Sequence, residues 1–352
     1  MERKLVIRDL TARIPVIQGG MGVGVSLSGL AGNVALCGGV GVISTAQIGY
    51  DQPGFDTNPI GTNLKAIDMH IRKAREIARG SGIIAVNIMV ATKKYEEYVK
   101  AAVKAGVDLI ISGAGLPMSL PALVEKSKTK IAPIVSSVKS VSVICKLWDR
   151  KYHRCPDLIV IEGPKAGGHL GFSYEQLLQQ ETLDFDQEIC EILKVVDAYR
   201  EKYQYHIPVV AAGGIYDRAD MERYRKLGVD GVQMATRFVT TYECDASPAY
   251  KQAYIDAKKE DIQIVKSPVG MPGRAIHNAF IEETKRSSVK PGKCHLCLGH
   301  CDRGSIPYCI TDTLVHAVTG DVDHGLLFCG ENAYRAVKLE HVRDIMEEFE
   351  GL

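Results

Sequence analysis

Short apolar segments alternate with longer amphipathic segments along the first two thirds of the chain. The apolar segments are rich in Val and Ile, and their apolar residues are continuous, which is typical of parallel strands covered on both faces. The segments between them repeat apolar residues at helical spacing, and two of them, residues 63–80 and 93–106, end in glycine as a helix cap. The eight predicted strands are residues 14–18, 40–44, 83–89, 108–112, 132–137, 157–162, 207–212 and 230–235.

Eight strand–helix units predict a closed (β/α)8 TIM barrel. An open doubly wound sheet alternates strands and helices in the same way. In that fold the glycine-rich segment 19–32 would be a dinucleotide-binding turn, but no acidic residue ends the second strand to hold a ribose. The barrel is therefore favoured, and functional groups are expected directly after the strands, at their C-terminal ends.

The charge balance narrows the classes of partner. Among 352 residues there are 43 Lys and Arg and 42 Asp and Glu, so no net field attracts nucleic acid or an anionic membrane. We expect a small-molecule substrate, no nucleic-acid or membrane partner, and a homodimer as a possible assembly. The N-terminal segment lacks the apolar core of a signal peptide, and no stretch approaches the roughly 18 apolar residues of a spanning helix, so a cytoplasmic location is expected.

Small and polar residues follow the first and third predicted strands. Gly19, Gly20 and Met21 follow the first strand, where glycine lets the backbone approach a flat ligand closely, although a tight turn is the alternative. Asn87 ends the third strand. Its amide can donate to and accept from the edge of a pyrimidine-like ring, or it can cap a local turn.

The later strand ends carry a histidine and a candidate phosphate site. The segment IEGPKAGGHLGF places Gly167 and Gly168 beside His169 on a loop at the barrel mouth. A histidine there can exchange a proton near neutral pH, or it can be a hydrogen-bonded loop residue. After strands seven and eight, residues 213–214 and 235–236 are pairs of small residues, at the place where barrels commonly hold a phosphate with backbone N–H groups.

These motifs together resemble the nitronate monooxygenase family, formerly 2-nitropropane dioxygenases, which is related to the FMN-dependent enoyl-acyl-carrier-protein reductases. The resemblance rests on PVIQGGM, Asn87, SGAG at 112–115, KAGGHLG, PVVAAGGI and GVQMATRF, which run in the family's order over roughly residues 10–285. It implies FMN as the cofactor and His169 as the catalytic base. The cofactor contacts predicted on this basis are Gly19, Gly20, Met21, Asn87, Lys165, Gly167, Gly168, Ala212, Gly213, Gly214, Gln233, Ala235 and Thr236.

Two positions depart from the family's pattern. Lys165 replaces the acidic residue that usually precedes the AGGH motif, and a lysine beside the flavin would favour an anionic substrate or the reduced flavin anion. Ala235 replaces a commoner glycine. We expect this second change to be tolerated, because the phosphate is held by backbone donors and alanine is still small.

Four of the ten cysteines form the motif C-x2-C-x3-C-x7-C near the C-terminus: Cys294, Cys297, Cys301 and Cys309. The other six lie in apolar or helical contexts, which is typical of reduced thiols in a core. Thiolates clustered among glycines and charged residues predict a metal site. We therefore expect two domains, an FMN-binding barrel over residues 1–285 and a C-terminal cysteine-rich metal-binding extension over residues 286–352.

The spacing of these cysteines favours iron–sulfur over zinc. Bunched cysteine triplets are common ligands of iron–sulfur clusters, and this run resembles the four-iron four-sulfur (4Fe–4S) segment of flavin barrel reductases of the dienoyl-CoA reductase type. Zinc is the alternative, since His295 and His300 could replace a cysteine. A 4Fe–4S cluster on the four cysteines, close to the flavin, is thus predicted.

Two enzyme classes fit these features, and a non-catalytic flavin-binding partner is the least favoured alternative. The first is an FMN enzyme that oxidises an activated carbon acid such as an alkyl nitronate, with His169 taking the proton. The second is an FMN and iron–sulfur reductase of an activated double bond, such as an enoyl thioester, supplied with electrons by NAD(P)H or through the metal centre. The barrel motifs favour the first class and the predicted cluster favours the second.

Overall fold

The structure, a computed structural model that describes residues 4–350, begins with a short antiparallel hairpin and continues as a closed parallel barrel. The hairpin is β1 (Leu5–Ile7) and β2 (Leu10–Ala12). The barrel strands are β3 (Val16–Gln18), β4 (Val40–Ser44), β5 (Ile83–Met89), β6 (Leu109–Gly113), β7 (Lys130–Val135), β8 (Ile159–Glu162), β10 (Val209–Ala212) and β11 (Gly231–Met234). The ring closes where β11 pairs with β3, with Val232 opposite Val16. The predicted TIM barrel is confirmed, and each predicted strand overlaps one barrel strand.

Helices follow the barrel strands, and most of them cover the outside of the barrel. They are α1 (Ser28–Leu36), α2 (Pro59–Ala78), α3 (Tyr95–Lys104), α4 (Leu120–Val124), α5 (Val138–Tyr152), α6 (Tyr174–Leu178), α7 (Phe185–Tyr203), α8 (Arg218–Lys226), α9 (Thr236–Val239) and α10 (Pro248–Asp256). Outward strand residues such as Ile43, Ile110 and Ile159 pack with helix residues such as Ile67 and Trp148 in one large apolar cluster. The strands are apolar on both faces because helices cover one face and the barrel interior the other.

The barrel interior is filled by apolar side chains and closed at its N-terminal end by the hairpin. Leu5 and Ile7 of β1 are fully buried against inward residues such as Ile17, Val160 and Val210. This end of the barrel is therefore packed. The functional groups are left to the opposite end, where the strands have their C-termini.

Helix α1 starts without a capping side chain of its own, because its N-cap position is Leu27. The carboxylate of Asp245, which lies after the last barrel strand, accepts hydrogen bonds from the backbone N–H groups of Leu27 (2.8 Å), Gly29 (2.9 Å) and Leu30 (3.1 Å). Burial raises the pKa of Asp245, and these three donors oppose that rise. The long-range cap fixes the helix that follows β3.

The chain after the barrel folds back over the barrel mouth. It contributes β12 (Ile262–Lys266) and β13 (Pro272–Ile276), which form a three-stranded antiparallel sheet with β9 (Gly168–His169), and the helices α11 (Ala279–Arg286), α12 (Ile310–Thr319) and α13 (Val342–Glu348). Ala275 and Phe280 share an apolar cluster with Tyr308 and Leu326. Residues on both sides of position 285 thus pack together, and a domain boundary there stays a prediction.

Ion pairs attach the last part of the chain to the barrel. Arg237, next to the candidate phosphate site, is paired with Glu340 (3.0 Å) and Glu348 (2.7 Å), so its role is structural. Arg335 is likewise paired with Asp217 and Asp220.

Over residues 4–350 the structure contains no helix with both the length and the apolar character needed to cross a bilayer.

Candidate active site

A cavity of about 290 Å³ opens at the C-terminal ends of the barrel strands. Every residue predicted to contact the cofactor lines this cavity, and so does the predicted base. They are Gly19, Gly20, Met21, Asn87, Lys165, Gly167, Gly168, His169, Ala212, Gly213, Gly214, Gln233, Ala235 and Thr236. They come from the ends of β3, β5, β8, β10 and β11, so the barrel topology brings them together. Their individual roles as cofactor contacts stay predictions.

The two glycines after β3 make room for neighbouring side chains. A Cβ on Gly20 would lie 2.5 Å from the Cβ of Asn87, and a Cβ on Gly19 would lie 3.3 Å from the Cγ of Gln233. Glycine at these positions therefore lets Asn87 and Gln233 approach the end of β3. Both amides then lie at the cavity, where they can meet the edge of a polar ring.

The candidate phosphate site lies between the ends of β10 and β11. Gly213 and Gly214 have φ angles of +100° and +75°, in the left-handed region that favours glycine. A Cβ on Gly213 would lie 2.9 Å from the backbone nitrogen of Ala166, and one on Gly214 would lie 3.0 Å from the side chain of Lys165. Side chains would thus fill this cradle, and the residues present leave it open for a phosphate group.

The C-terminal segment 329–332 closes the cradle on its outer side. The Gly330 N–H donates to Thr236 Oγ1 (2.9 Å), and the Asn332 side-chain amide donates to the Gly214 carbonyl (2.8 Å). The Glu331 N–H donates to the Lys165 carbonyl (3.2 Å). No local motif in the sequence indicates that these residues reach the site, because roughly a hundred residues or more separate each of them from the residue that it contacts.

Arg274 on β13 holds the loop that precedes His169. Its side chain is buried, and its guanidinium donates to the carbonyls of Pro164 (2.8 Å) and Ala166 (2.5 Å) and to the side-chain oxygen of Gln180 (2.8 Å). Arginine can satisfy several acceptors at once because its donors form a rigid planar fork. No motif in the sequence indicates this role of Arg274, since two of its three acceptors are backbone carbonyls.

The predicted base, His169, is held between the hairpin and an aromatic ring. It belongs to β9 and lies opposite Gly273 of β13. Its Nε2 lies 2.7 Å from the Ser267 hydroxyl, and its ring makes an edge contact with Phe328 at a centroid distance of 4.8 Å. Burial lowers its pKa to about 4, so the imidazole is neutral above that pH and able to accept a proton.

Lys165 also lines the cavity, but its charge is balanced. Its Nζ lies 3.1 Å from the Glu331 carboxylate, and its side chain is 54% exposed. From the sequence, a lysine beside the flavin is expected to favour an anionic substrate or the reduced flavin anion. The structure instead shows an ion pair at the cavity rim, which weakens that attraction.

Glu162, at the end of β8, is a cavity residue that the sequence analysis missed. It lines the cavity, and its removal from water raises its pKa to about 7. The available signal was an acidic residue that ends a buried apolar strand at the functional end of a barrel. A carboxyl group there can donate or accept a hydrogen bond near neutral pH.

The structure does not bring the four cysteines together as a metal site. Among residues 4–350, no group of three or more His, Cys, Asp and Glu side chains is placed so that it could hold a metal ion. Cys294 and Cys301 are exposed, whereas Cys297 is partly buried and lines the cavity. The reason is that the backbone ties this segment to the loop after β5: the Cys297 carbonyl accepts from Lys93 (3.1 Å) and Gly299 donates to Ala91 (2.9 Å). The predicted metal-binding extension is therefore not supported by this arrangement.

Comparison with known proteins matches almost the whole chain to one family. The family model for nitronate monooxygenase covers residues 3–350. The chain belongs to the nitronate monooxygenase family. It is accordingly a nitronate monooxygenase-like, FMN-dependent oxidoreductase, and the resemblance drawn from the sequence motifs is confirmed.

Individual relatives support this assignment at modest identity. A probable nitronate monooxygenase of Staphylococcus saprophyticus is 27% identical over 294 residues, 78% of each chain. A probable nitronate monooxygenase of Staphylococcus aureus strain Newman is 37% identical over 127 residues, 36% of this chain and 33% of the relative.

Two solved structures share the fold. FabK from Thermotoga maritima has a TM-score of 0.70 at 23% identity, covering 96% of this chain and 92% of FabK. A nitroalkane oxidase from Streptomyces ansochromogenes has a TM-score of 0.71 at 19% identity, covering 96% of this chain and 94% of the oxidase.

Proposed function

We propose that this chain oxidises an alkyl nitronate, or the nitroalkane carbon acid from which it forms, with His169 as the base. The observation that carries the proposal is the position of His169, which lines the same cavity as the open cradle between β10 and β11. A flavin-dependent carbon-acid oxidation requires a base and a flavin-binding site in one cavity. The partner is therefore proposed to be a small organic molecule.

Different residues of the cavity are proposed to bind the cofactor and to take the proton. Gly213, Gly214 and Thr236 would hold the FMN phosphate at the cradle, and Asn87 and Gln233 would meet the polar edge of its ring. When bound, FMN supplies the two-electron acceptor. His169, neutral above about pH 4, takes the proton from the carbon next to the nitro group.

The cavity wall contributed by the C-terminal part of the chain is largely apolar. Val269, Met271, Leu298, Ile310 and Leu314 all line it. This wall can pack an alkyl chain and keep water from the reacting carbon. An extended hydrocarbon substituent on the substrate is thus compatible with the site.

The proposal is tested by anaerobic stopped-flow reduction of the FMN-loaded enzyme with a nitroalkane and with its preformed nitronate. In His169→Ala, reduction by the nitroalkane should slow by the roughly 10²–10⁴-fold that general base catalysis supplies, whereas the nitronate, already deprotonated, should lose less. His316→Ala, on the exposed face of α12, is the matched control. Unchanged reduction by the nitroalkane in His169→Ala would remove the histidine from the mechanism.

A reductase of an activated double bond is the second candidate. The observation that favours it is Cys297, which brings the four-cysteine segment to the wall of the same cavity. If this function is correct, NAD(P)H should reduce the FMN faster than a nitronate does, and an enoyl thioester should reoxidise it. Reduction by the nitronate alone would eliminate this candidate.

We further propose that the four cysteines bind a metal centre, a 4Fe–4S cluster or else zinc. Support comes from their spacing and from the position of Cys297, which is partly buried and lines the cavity. Binding requires the exposed Cys294 and Cys301 to turn towards Cys297. The test is to quantify iron, acid-labile sulfide, zinc and FMN in anaerobically purified protein. The same measurement is made on the variant Cys297→Ala and on the control variant Cys190→Ala. Neither iron nor zinc at stoichiometric level would end this proposal.

A further inference from the structure

A network of buried side-chain amides lies between the loop after β4 and the cysteine-rich segment, at the wall of the cavity. The Gln47 amide donates to the carbonyl of His295 (3.0 Å) and to the hydroxyl of Thr311 (3.4 Å). The Asn63 amide donates to Gln47 Oε1 (2.6 Å) and to the Tyr98 hydroxyl (2.9 Å). Gln47 is 5% exposed, Tyr98 and Thr311 are each 2% exposed, and Asn63 is fully buried. These polar groups must therefore be satisfied by one another or by a bound ligand.

Backbone groups at the two ends of the network fix the orientation of both amides. The Gly49 N–H can only donate, and it lies 2.8 Å from Asn63 Oδ1, which leaves the Asn63 nitrogen to face Gln47. The His295 carbonyl can only accept, so the Gln47 nitrogen must face it. Turning either amide over would bring two donors or two acceptors face to face. The directions of these hydrogen bonds therefore follow from the backbone.

The two hydroxyls of the network, on Tyr98 and Thr311, keep their own hydrogens. Each accepts a hydrogen bond from an amide nitrogen, and such a nitrogen cannot accept one in return. Within residues 4–350, neither hydroxyl donates to a protein acceptor. Both residues line the cavity together with Cys297, whose sulfur is only a weak acceptor. The two hydrogens are therefore available to a ligand in the cavity.

We propose that the hydroxyls of Tyr98 and Thr311 form a binding subsite for a neutral carbonyl group carried on the alkyl chain of the substrate. The oxygen of a carbonyl has two lone pairs and can accept from one or both hydroxyls. The apolar wall described above, which includes Leu298, Ile310 and Leu314, can pack the chain that carries this group. The substrate class is then an alkyl chain with an oxygen acceptor away from its reacting carbon.

The charges around the cavity favour a neutral acceptor over a carboxylate. Among the cavity residues that the structure describes, Lys165 is the only lysine or arginine, and its Nζ is already paired with the Glu331 carboxylate at 3.1 Å. A carboxylate buried in the cavity would therefore lack a free cation to balance its charge. A carbonyl needs only the hydrogen-bond donors that are present.

This subsite deepens the proposed function, and it rests on that function for the identity of the reacting end of the substrate. Hydroxyls that hold a remote carbonyl make the same contact before and during the reaction. Their contribution should therefore lower KM and leave kcat nearly unchanged. Tyr98 and Thr311 are thus residues that determine specificity, whereas His169 is the proposed base.

The subsite can be tested by ligand binding without turnover. The FMN-loaded enzyme is titrated by calorimetry with a medium-chain methyl ketone and with the 2-methyl-1-alkene of the same shape, which lacks the oxygen acceptor. In Tyr98→Phe and in Thr311→Val, the ketone should bind roughly three- to tenfold more weakly, which is the effect of one lost hydrogen bond. The affinity for the alkene should not change.

Tyr95→Phe is the matched control. Tyr95 lies on the same helix as Tyr98, and its hydroxyl is hydrogen-bonded to Ser112 at 2.9 Å, but it is not among the residues that line the cavity. This variant should bind both ligands as the unmodified enzyme does. The infrared carbonyl stretch of the bound ketone, labelled with ¹³C, gives a second measurement. It should lie at a lower frequency in the unmodified enzyme than in Tyr98→Phe or Thr311→Val, because hydrogen bonding weakens the C=O bond.

Three results would overturn the proposal. The first is an equal loss of affinity for the ketone and the alkene in both Tyr98→Phe and Thr311→Val. The second is a carbonyl frequency that neither variant changes. The third is a fatty carboxylate of the same length that binds more tightly than the ketone and is weakened by Tyr98→Phe, since this would indicate an anion site. None of these measurements requires oxidation of a nitroalkane, so a failure of the proposed function is a separate result.

Discussion

Gly167 and Gly168 are adjacent in the AGGH motif, yet the structure predicts that alanine at the two positions will lower the free energy of unfolding by different amounts. A Cβ on Gly167 would lie 2.5 Å from the carbonyl carbon of Cys329, 2.6 Å from the nitrogen of Gly330 and 2.7 Å from the Cys329 oxygen. All three atoms belong to backbone, which cannot turn aside as a side chain can. A Cβ on Gly168 would meet nothing within 4 Å, although its φ of +74° is strained for alanine.

The expected magnitudes follow from these contacts. Gly167→Ala must displace residues 329–330 by roughly 1 Å, an overpacking of the kind that costs about 1–3 kcal/mol. The shift also weakens the bonds from Gly330 to Thr236 and from Cys329 to Arg274, at about 1 kcal/mol each. We expect a total loss of about 3–5 kcal/mol in the free energy of unfolding. Gly168→Ala should lose about 1–2 kcal/mol, the penalty for a left-handed residue with a Cβ.

Urea unfolding at one FMN concentration measures the two losses, and amide hydrogen exchange locates them. In Gly167→Ala the amides of Gly330 and Glu331 should exchange faster, and FMN should bind at least tenfold more weakly, because the segment that closes the cradle has moved. In Gly168→Ala those amides should keep their protection. Equal protection of Gly330 in both variants, or a smaller stability loss in Gly167→Ala, would refute the reasoning.

Three further predictions concern the base, the cradle and the cap of α1. Because burial lowers the pKa of His169 to about 4, the histidine stays in its basic form down to that pH. The rate of flavin reduction by a nitroalkane that stays protonated should therefore be constant from about pH 8 to about pH 5 and fall only near pH 4. A fall in this rate centred near pH 6.5, the usual pKa of histidine, would contradict the prediction. Gly214→Leu should abolish FMN binding, measured by flavin fluorescence, since a side chain there meets Lys165 at a φ of +75°; full occupancy would exclude the cradle. Asp245→Asn should lower the free energy of unfolding by about 2 kcal/mol, checked by urea unfolding, because an amide cannot accept three backbone N–H bonds as well as a carboxylate does; a loss below about 0.5 kcal/mol would show that the cap is dispensable.

In the cysteine-rich segment the structure differs from what the sequence spacing predicts. The motif at Cys294, Cys297, Cys301 and Cys309 predicts converging thiolates, because residues a few positions apart can reach one centre. In the structure, backbone hydrogen bonds to residues 91–93 hold the segment against the barrel, and of the four cysteines only Cys297 lines the cavity. The spacing of the cysteines shows how far apart their side chains can lie. It does not show which distant segment forms hydrogen bonds with the backbone that carries them.

The sequence by itself determined the barrel, its family and the residues at its strand ends. Apolar runs such as residues 83–89 can only be buried on both faces in a parallel sheet under helices, and a barrel places all strand C-termini at one end, so Asn87, His169 and Gly214 had to meet. Tertiary structure alone decided what surrounds them. Arg274, Ser267 and the segment 329–332 reach the site through backbone carbonyls, a hydroxyl and a returning chain. Such contacts depend on how distant segments pack, and they leave no periodicity or motif in the sequence from which to predict them.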